Sequence, residues 1–110
     1  MRGDIMDDKM TEIIFGIICS AGEGRSLAME AMTLARDEND FVAAKEALAK
    51  AKETLNEAHH YQTDLIQREA GGEKFDINVL LIHSQDHLMN AMTVIQLAEE
   101  IVSLHEKINK

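Results

Sequence analysis

The chain has 110 residues and a formal net charge of −9, with no proline, no tryptophan, and three phenylalanines and one tyrosine as its aromatic residues. Such an acidic chain lacks the clustered lysines and arginines that bind nucleic acid or anionic membrane surfaces, which excludes both classes of partner. The length fits one domain over residues 1–110, and the abundance of alanine, leucine, glutamate, lysine and methionine favours helix over sheet.

The first ten residues, MRGDIMDDKM, are charged and contain no signal-peptide core. No apolar run in the chain approaches the roughly 20 residues of a membrane span. Cys19 is the only cysteine and cannot form an internal disulfide, and its neighbours in IIFGIICSAG predict a buried thiol that packs as a small hydrophobic group. These features predict a cytoplasmic protein in a reducing compartment that does not insert into the membrane.

Two short polar segments divide the chain into three helices. The first, RDEND at residues 36–40, is typical of an interhelical turn. The second, AGGEKFD at residues 70–76, contains two glycines that stop a helix and then Asp76 as the N-cap of the next. The predicted helices lie near residues 8–35, 41–70 and 76–108. Because such short connections make neighbouring helices antiparallel, the predicted fold is an all-α, antiparallel three-helix bundle.

The first two predicted helices each carry an inner face at three- and four-residue spacing. In the first, this face consists of Met10, Ile13, Ile14, Ile17, Ile18 and Ala21. Its three glycines, Gly16, Gly22 and Gly24, indicate either local tolerance or the close approach of another segment to the backbone. The second helix is rich in alanine, and its inner face consists of Ala44, Ala47, Leu48, Ala51, Leu55, Ala58, Leu65 and Ile66.

The third predicted helix is apolar around most of its circumference. On a projection at about 100° per residue, its polar residues share one arc: Asn78, Gln85, Gln96, Glu99, Glu100, Ser103 and Lys107. The remaining positions are nearly all aliphatic, which is typical of a helix buried from more than one side. Two companion helices cannot cover so wide an arc. The pattern therefore predicts that further copies of the chain supply a second surface, giving a helical homo-oligomer.

Three ionisable residues, His83, Asp86 and His87, project from this apolar arc. On the same projection, His87 lies about 40° to one side of His83 and Asp86 about 60° to the other. Burying an unpaired carboxylate is costly, so such a group normally acquires a partner, a metal or a proton. The spacing leaves three interpretations open: a satisfied histidine–aspartate contact, a metal site completed by His59 and His60, or a nucleophilic histidine.

The segment LLIHSQDHLMNAM closely resembles the region around the phosphorylated histidine of the lactose/cellobiose class of enzyme IIA. These proteins belong to the bacterial phosphoenolpyruvate-dependent sugar phosphotransferase system. The family's first helix resembles IICSAGEGRSLAMEAM, the end of its second helix and the following turn resemble LNEAHHYQTDLIQREAGGEK, and the close of its third helix resembles LAEEIVSLHEK. The likeness therefore spans residues 12–107. Ser84 and Gly24 stand where alanine is common in the family.

The resemblance implies a role for each member of the trio. His83 stands at the position of the phosphorylated histidine, which accepts a phosphoryl group at Nε2. Asp86 stands at the position that binds a divalent cation, usually magnesium, on the axis of a homotrimer. His87 is expected to support the site, and His59 and His60 are expected to have structural roles.

The resemblance also implies a set of partners. The phosphoryl group arrives from phospho-HPr and leaves to a cysteine of the IIB component, which phosphorylates a β-glucoside or galactoside type of sugar entering through the membrane component IIC. The competing hypotheses from the residues alone are a non-enzymatic helical oligomeric adaptor and a metal-binding bundle in which His83 and His87 ligate metal.

Overall fold

The computed structural model describes residues 8–109 and consists of three helices in this range: α1 (Asp8–Glu38), α2 (Phe41–Ala70) and α3 (Val79–Ile108). The prediction of an all-α, antiparallel three-helix bundle is confirmed. Helix α1 packs against both other helices, whereas α2 and α3 touch each other less. Within residues 8–109, none of the helices is long and apolar enough to cross a membrane. Residues 1–7 lie outside the described range. They are part of the N-terminal segment that was predicted to contain no signal-peptide core.

The first turn is shorter than predicted, because α1 continues three residues beyond position 35. Only Asn39 and Asp40 separate the helices. Asn39 has φ 52°, in the left-handed region that asparagine tolerates better than most residues. The carboxylate of Asp40 then accepts a hydrogen bond from the backbone N–H of Ala43 at 3.0 Å and caps α2.

The predicted glycine stop at the end of α2 is confirmed. Gly72 has φ 101°, which only glycine adopts readily. Its N–H donates to the carbonyl of Glu69, and the N–H of Glu73 donates back to the carbonyl of Arg68, each at 3.0 Å. This pair of bonds is the Schellman arrangement that satisfies the last carbonyls of a helix.

The prediction of Asp76 as the next N-cap is wrong. The cap is Asn78, whose side-chain oxygen accepts a hydrogen bond from the N–H of Leu81 at 2.9 Å. Residues 73–78 are not helical, and Phe75 packs against the core from within this connection. Because the connection must reach the core before α3 can start, the helix begins at Val79, three residues later than expected.

The core forms two clusters along α1. Five of the six predicted inner residues of α1 are buried and Ile18 is partly buried. Two predictions of burial are wrong. Cys19 is exposed, because it lies two residues beyond Ile17 on the outer side of the helix. Ile66 is 58% exposed, because it lies about 100° around α2 from the buried Leu65.

The polar arc of α3 does not simply face solvent, because part of it borders α2. The amide of Gln62 donates to Oε1 of Gln85 at 2.8 Å. Lys45 pairs with Glu106 at 2.8 Å, and Lys52 pairs with Glu99. These polar contacts along one edge fix how α3 is rotated about its own axis.

Both interpretations of the α1 glycines apply, at different positions. A Cβ at Gly16 would lie 2.6 Å from the ring of Tyr61, and one at Gly24 would lie 3.2 Å from the carbonyl oxygen of Ala51. A Cβ at Gly22 would meet no atom within 4 Å. Close packing therefore accounts for the first two glycines but not for Gly22.

We expect Gly16→Ala and Gly22→Ala to change stability in opposite directions. The first forces the Tyr61 ring out of its place against the core, at a cost of about 1–3 kcal/mol that exceeds the helix-propensity gain of about 1 kcal/mol. Gly22→Ala has the same helix-propensity gain and no packing cost, so it should stabilise the protein. Thermal unfolding followed by circular dichroism measures both, and equal stabilisation by the two alanines would contradict the packing described for Tyr61.

Candidate functional site

The predicted reactive residues lie in the first turns of α3, close behind its N-cap. His83 and Asp86 are exposed in this single chain and His87 is half-buried. The imidazole rings of His83 and His87 are in contact, with centroids 4.2 Å apart and planes inclined by 59°. The trio therefore shares one side of the helix, as its spacing predicts, but α1 and α2 leave that side largely uncovered.

Ser84 anchors the turn that carries His83. Its side chain is fully buried, and its hydroxyl donates to the carbonyl of Leu81 at 2.6 Å. The same oxygen accepts a hydrogen bond from the amide of Gln85 at 3.3 Å, and Gln62 of α2 binds the other end of that amide. This chain of bonds ties the backbone beside His83 to the neighbouring helix.

Asp86 is paired with an amide and not with a histidine. Its Oδ2 accepts a hydrogen bond from Nδ2 of Asn90, one turn further along, at 3.3 Å. The interpretation of a histidine–aspartate hydrogen bond therefore does not hold within the described chain. Nor do the described residues contain any group of three or more histidine, cysteine, aspartate or glutamate side chains that could hold a metal, so the trio is not the ligand set of a metal site within one chain.

An exposed apolar face surrounds Asp86 on α3. The side of α3 that packs on the other helices consists of Ser84, Leu88, Ala91, Ile95, Ala98 and Val102. The opposite side exposes large aliphatic side chains along the whole helix: Val79, Ile82, Met89, Leu97, Ile101, Leu104 and Ile108. The prediction that two companion helices cannot cover the apolar arc of α3 is confirmed. We call this exposed set, with Asp86 inside it, the α3 face.

A groove between α1 and α3 begins at His87. It has a volume of about 540 Å³ and is lined by Ala21, Gly22, Arg25, Ser26, His87, Asn90 and Val94. Arg25, Ser26 and Asn90 are not among the site residues predicted from the sequence. The spacing of Asn90, four residues after Asp86, could have indicated its contact with that carboxylate.

His59 is half-buried and His60 is exposed on α2, and neither lines this groove.

Comparison with known proteins confirms the family resemblance that the sequence motifs indicated. The family described as "PTS system, Lactose/Cellobiose specific IIA subunit" matches residues 12–106, which contain α3 through Glu106 and the whole candidate site. The chain belongs to this family. It is accordingly a IIA component of the sugar phosphotransferase system, a phosphocarrier.

Individual relatives of this IIA chain are similar over nearly their whole lengths. The lichenan-specific phosphotransferase enzyme IIA component of Bacillus subtilis is 53% identical over 105 residues, covering 96% of this chain and 94% of the relative. The crystal structure of the cellobiose-specific enzyme IIA from Bacillus anthracis matches with a TM-score of 0.89 and 50% identity, covering 98% of this chain and 97% of that one. A chain from the solution structures of the IIA(Chitobiose)–HPr complex of Escherichia coli matches with a TM-score of 0.80 and 38% identity, covering 96% and 100%.

We expect the start of α3, and with it the placement of His83, to depend on Asn78 and not on Asp76. Asn78→Ala removes the hydrogen bond to the N–H of Leu81 and should destabilise the protein by about 1 kcal/mol. Asp76→Ala removes no capping bond and should change stability by less than about 0.5 kcal/mol. Urea unfolding measures both variants. If Asp76→Ala lowered the free energy of unfolding more than Asn78→Ala does, Asp76 would be the N-cap of α3, as the sequence predicted.

Proposed function

We propose that this IIA component accepts a phosphoryl group from phospho-HPr on His83 and passes it to the cysteine of a IIB partner, in the cytoplasm, for phosphorylation-coupled sugar import through IIC. The observation that carries this proposal is an exposed imidazole in the LIHSQDH segment, held on a capped and anchored helix turn of a family member. The HPr complex formed by a similar IIA protein supports the choice of donor.

The chemistry needs only one reactive atom from this chain. The lone pair of a His83 ring nitrogen, Nε2 by the family resemblance, attacks phosphorus while the bond between phosphorus and the phosphorylated side chain of HPr breaks and that side chain leaves. In the second step, the IIB thiolate attacks the same phosphorus and the His83 imidazole is the leaving group. Both steps require an in-line approach from outside the chain, and the exposure of His83 permits it.

His87 is the supporting residue in this proposal. Its ring is in contact with that of His83 and restricts the directions in which the His83 imidazole can turn. A fixed ring presents its nucleophilic nitrogen at a lower entropic cost than a freely rotating one. His59 and His60 have structural roles, and neither lies on the third helix with the reactive trio.

We propose a sugar of the β-glucoside or galactoside type, with β-glucosides favoured. The support comes from the names of similar proteins, one lichenan-specific and one cellobiose-specific. No sugar needs to touch the IIA chain for this assignment, because the chain handles only the phosphoryl group.

We further propose that three copies pack through the α3 face into a homotrimer, with Asp86 on the axis and a divalent cation, Mg²⁺, between the three carboxylates. The support is an exposed aliphatic stripe with Asp86 at its centre and no basic partner for that carboxylate in the described chain. Three carboxylates brought together in an apolar interface repel one another, and a hard cation with oxygen ligands removes that repulsion. The hydrogen bond from Asn90 to Oδ2 would leave Oδ1 of Asp86 for the cation.

We expect His83→Ala to abolish phosphoryl acceptance without unfolding the protein, because the exposed ring contributes little to the core. The measurement is transfer from ³²P-labelled phospho-HPr, with circular dichroism as the folding control. His59→Ala is the matched control and should accept phosphate at the wild-type level. Labelling of the His83→Ala protein at the wild-type rate would remove His83 from the mechanism.

We expect assembly of the trimer to depend on a divalent cation when residue 86 is aspartate, and not when it is replaced by leucine. In sedimentation, the wild-type trimer should weaken when EDTA removes divalent cations, because the three carboxylates then repel. Asp86→Leu replaces the buried charges with apolar packing and should give a trimer that EDTA does not affect.

Wild-type protein that stays monomeric with Mg²⁺ present would contradict the proposed assembly. A trimer equally stable with and without EDTA would contradict the role of Asp86 while leaving the apolar interface in place.

A further inference from the structure

The groove between α1 and α3 carries several hydrogen-bond donors and no carboxylate. Its polar lining residues are Arg25, Ser26, His87 and Asn90, whose side chains can all donate hydrogen bonds. Aspartate and glutamate together number 20 in the chain, yet none of them lines this groove. The local balance of charge is therefore opposite to that of the whole protein, and it suits an anion.

Arg25 differs from Arg36 and Arg68, the other two arginines of the described residues, because those two lie beside carboxylates. Arg36 binds Asp37 through two hydrogen bonds, of 2.7 and 2.8 Å, which lower the pKa of the Asp37 carboxyl. Arg68 lies 3.5 Å from Glu73, and Lys45 and Lys52 pair with glutamates of α3. Arg25 makes no hydrogen bond or ion pair with any residue in the described range, and neither does the Ser26 hydroxyl. Both groups are free to bind a ligand.

The groove also has room for a ligand beside these groups. Gly22 of α1 lines the groove, and a Cβ built on it would meet nothing within 4 Å. A volume of about 540 Å³ exceeds by several times the space that a tetrahedral oxyanion needs. The open space is continuous with the polar lining at His87 and Asn90.

The position of the groove connects it with the proposed phosphoryl acceptor. His87 forms one end of the groove, and its ring contacts that of His83. Around α3, Asn90 lies about 40° from Asp86 and His87 about 100° from it, so the groove borders the α3 face at Asn90 and opens to the side of that face at His87. An assembly that covers the α3 face would leave a ligand in the groove next to the reactive histidine.

We propose that this groove is an oxyanion site, in which Arg25, Ser26 and His87 bind a phosphate-class dianion beside His83. Arginine holds such groups through charge-assisted, paired hydrogen bonds. The same chemistry fits two sources, the phosphoryl group in transit through His83 and a free phosphate ion or monoester. The first source rests on the proposed function, whereas the second does not.

Two arms of one NMR experiment on the full-length protein test the site and distinguish its source. In the first arm, phospho-HPr phosphorylates the protein and the side-chain Nε–H signal of Arg25 is followed. In the second, inorganic phosphate is titrated at constant ionic strength into unphosphorylated protein and into the His83→Ala variant. A shift of the Arg25 signal in the first arm identifies the phosphoryl group in transit. A saturable shift in the second arm identifies free phosphate and stands even if His83 is never phosphorylated.

Arg25→Gln and Arg36→Gln form the matched pair of variants, because both remove one arginine from α1 and only the first changes the groove. Arg25→Gln should weaken phosphate binding about tenfold or more, as expected for a lost charge-assisted hydrogen bond. It should also change the hydrolysis rate of the phosphorylated protein if the transit source is correct. Arg36→Gln should change neither quantity. The proposal is overturned if Arg25 responds in neither arm, or if both variants weaken binding equally.

Discussion

Helix α3 carries apolar side chains on two opposite sides, and the bundle has partners for only one of them. The side that meets α1 and α2 includes the buried residues Leu88, Ala91 and Ile95. The other side exposes large aliphatic residues, among them Leu97 and Leu104, to water. Exposed aliphatic stripes of this length are typical of surfaces that bind another protein. The proposed homotrimer is the assembly that would remove this stripe from water.

The same imbalance explains how one short helical segment serves two purposes in the proposed function. Asp86 lies inside the exposed stripe, where a second copy would meet it, and His83 lies about 60° around the helix, toward its margin. A residue inside the stripe becomes part of the interface, while a residue at the margin keeps its access to partner proteins. The anchoring of Ser84 and Gln85 to α2 fixes the rotation of α3 and therefore this division.

Much of the fold follows from local sequence signals. Gly72 ends α2 because its backbone is left-handed. Asp40 caps the start of α2 because its carboxylate accepts a hydrogen bond from the N–H of Ala43. The start of α3 could not be predicted in the same way, because Asp76 and Asn78 are both good caps. The packing of Phe75, a tertiary contact, decides between them. The exposure of Cys19 was missed for a similar reason, since an aliphatic neighbourhood in sequence does not show which way one side chain points.

The candidate site likewise combines residues that local sequence patterns predict with a groove that depends on tertiary packing. Motif spacing placed His83, Asp86 and His87 on one side of one helix, and the family likeness gave their proposed roles. The groove with Arg25 and Ser26 could not be predicted, because it forms only when α1 and α3 come side by side. Its lining comes from residues more than 60 positions apart, Ser26 and His87, so no local pattern contains it.

The central claim is that the α3 face is covered by other copies while His83 stays accessible, and native mass spectrometry after incubation with phospho-HPr tests both parts in one spectrum. The account predicts a species with the mass of three chains and three phosphoryl groups, one on each His83, with the phosphate lost at acidic pH as expected for phosphohistidine. A single chain carrying phosphate, or an assembled trimer that accepts none, would contradict it.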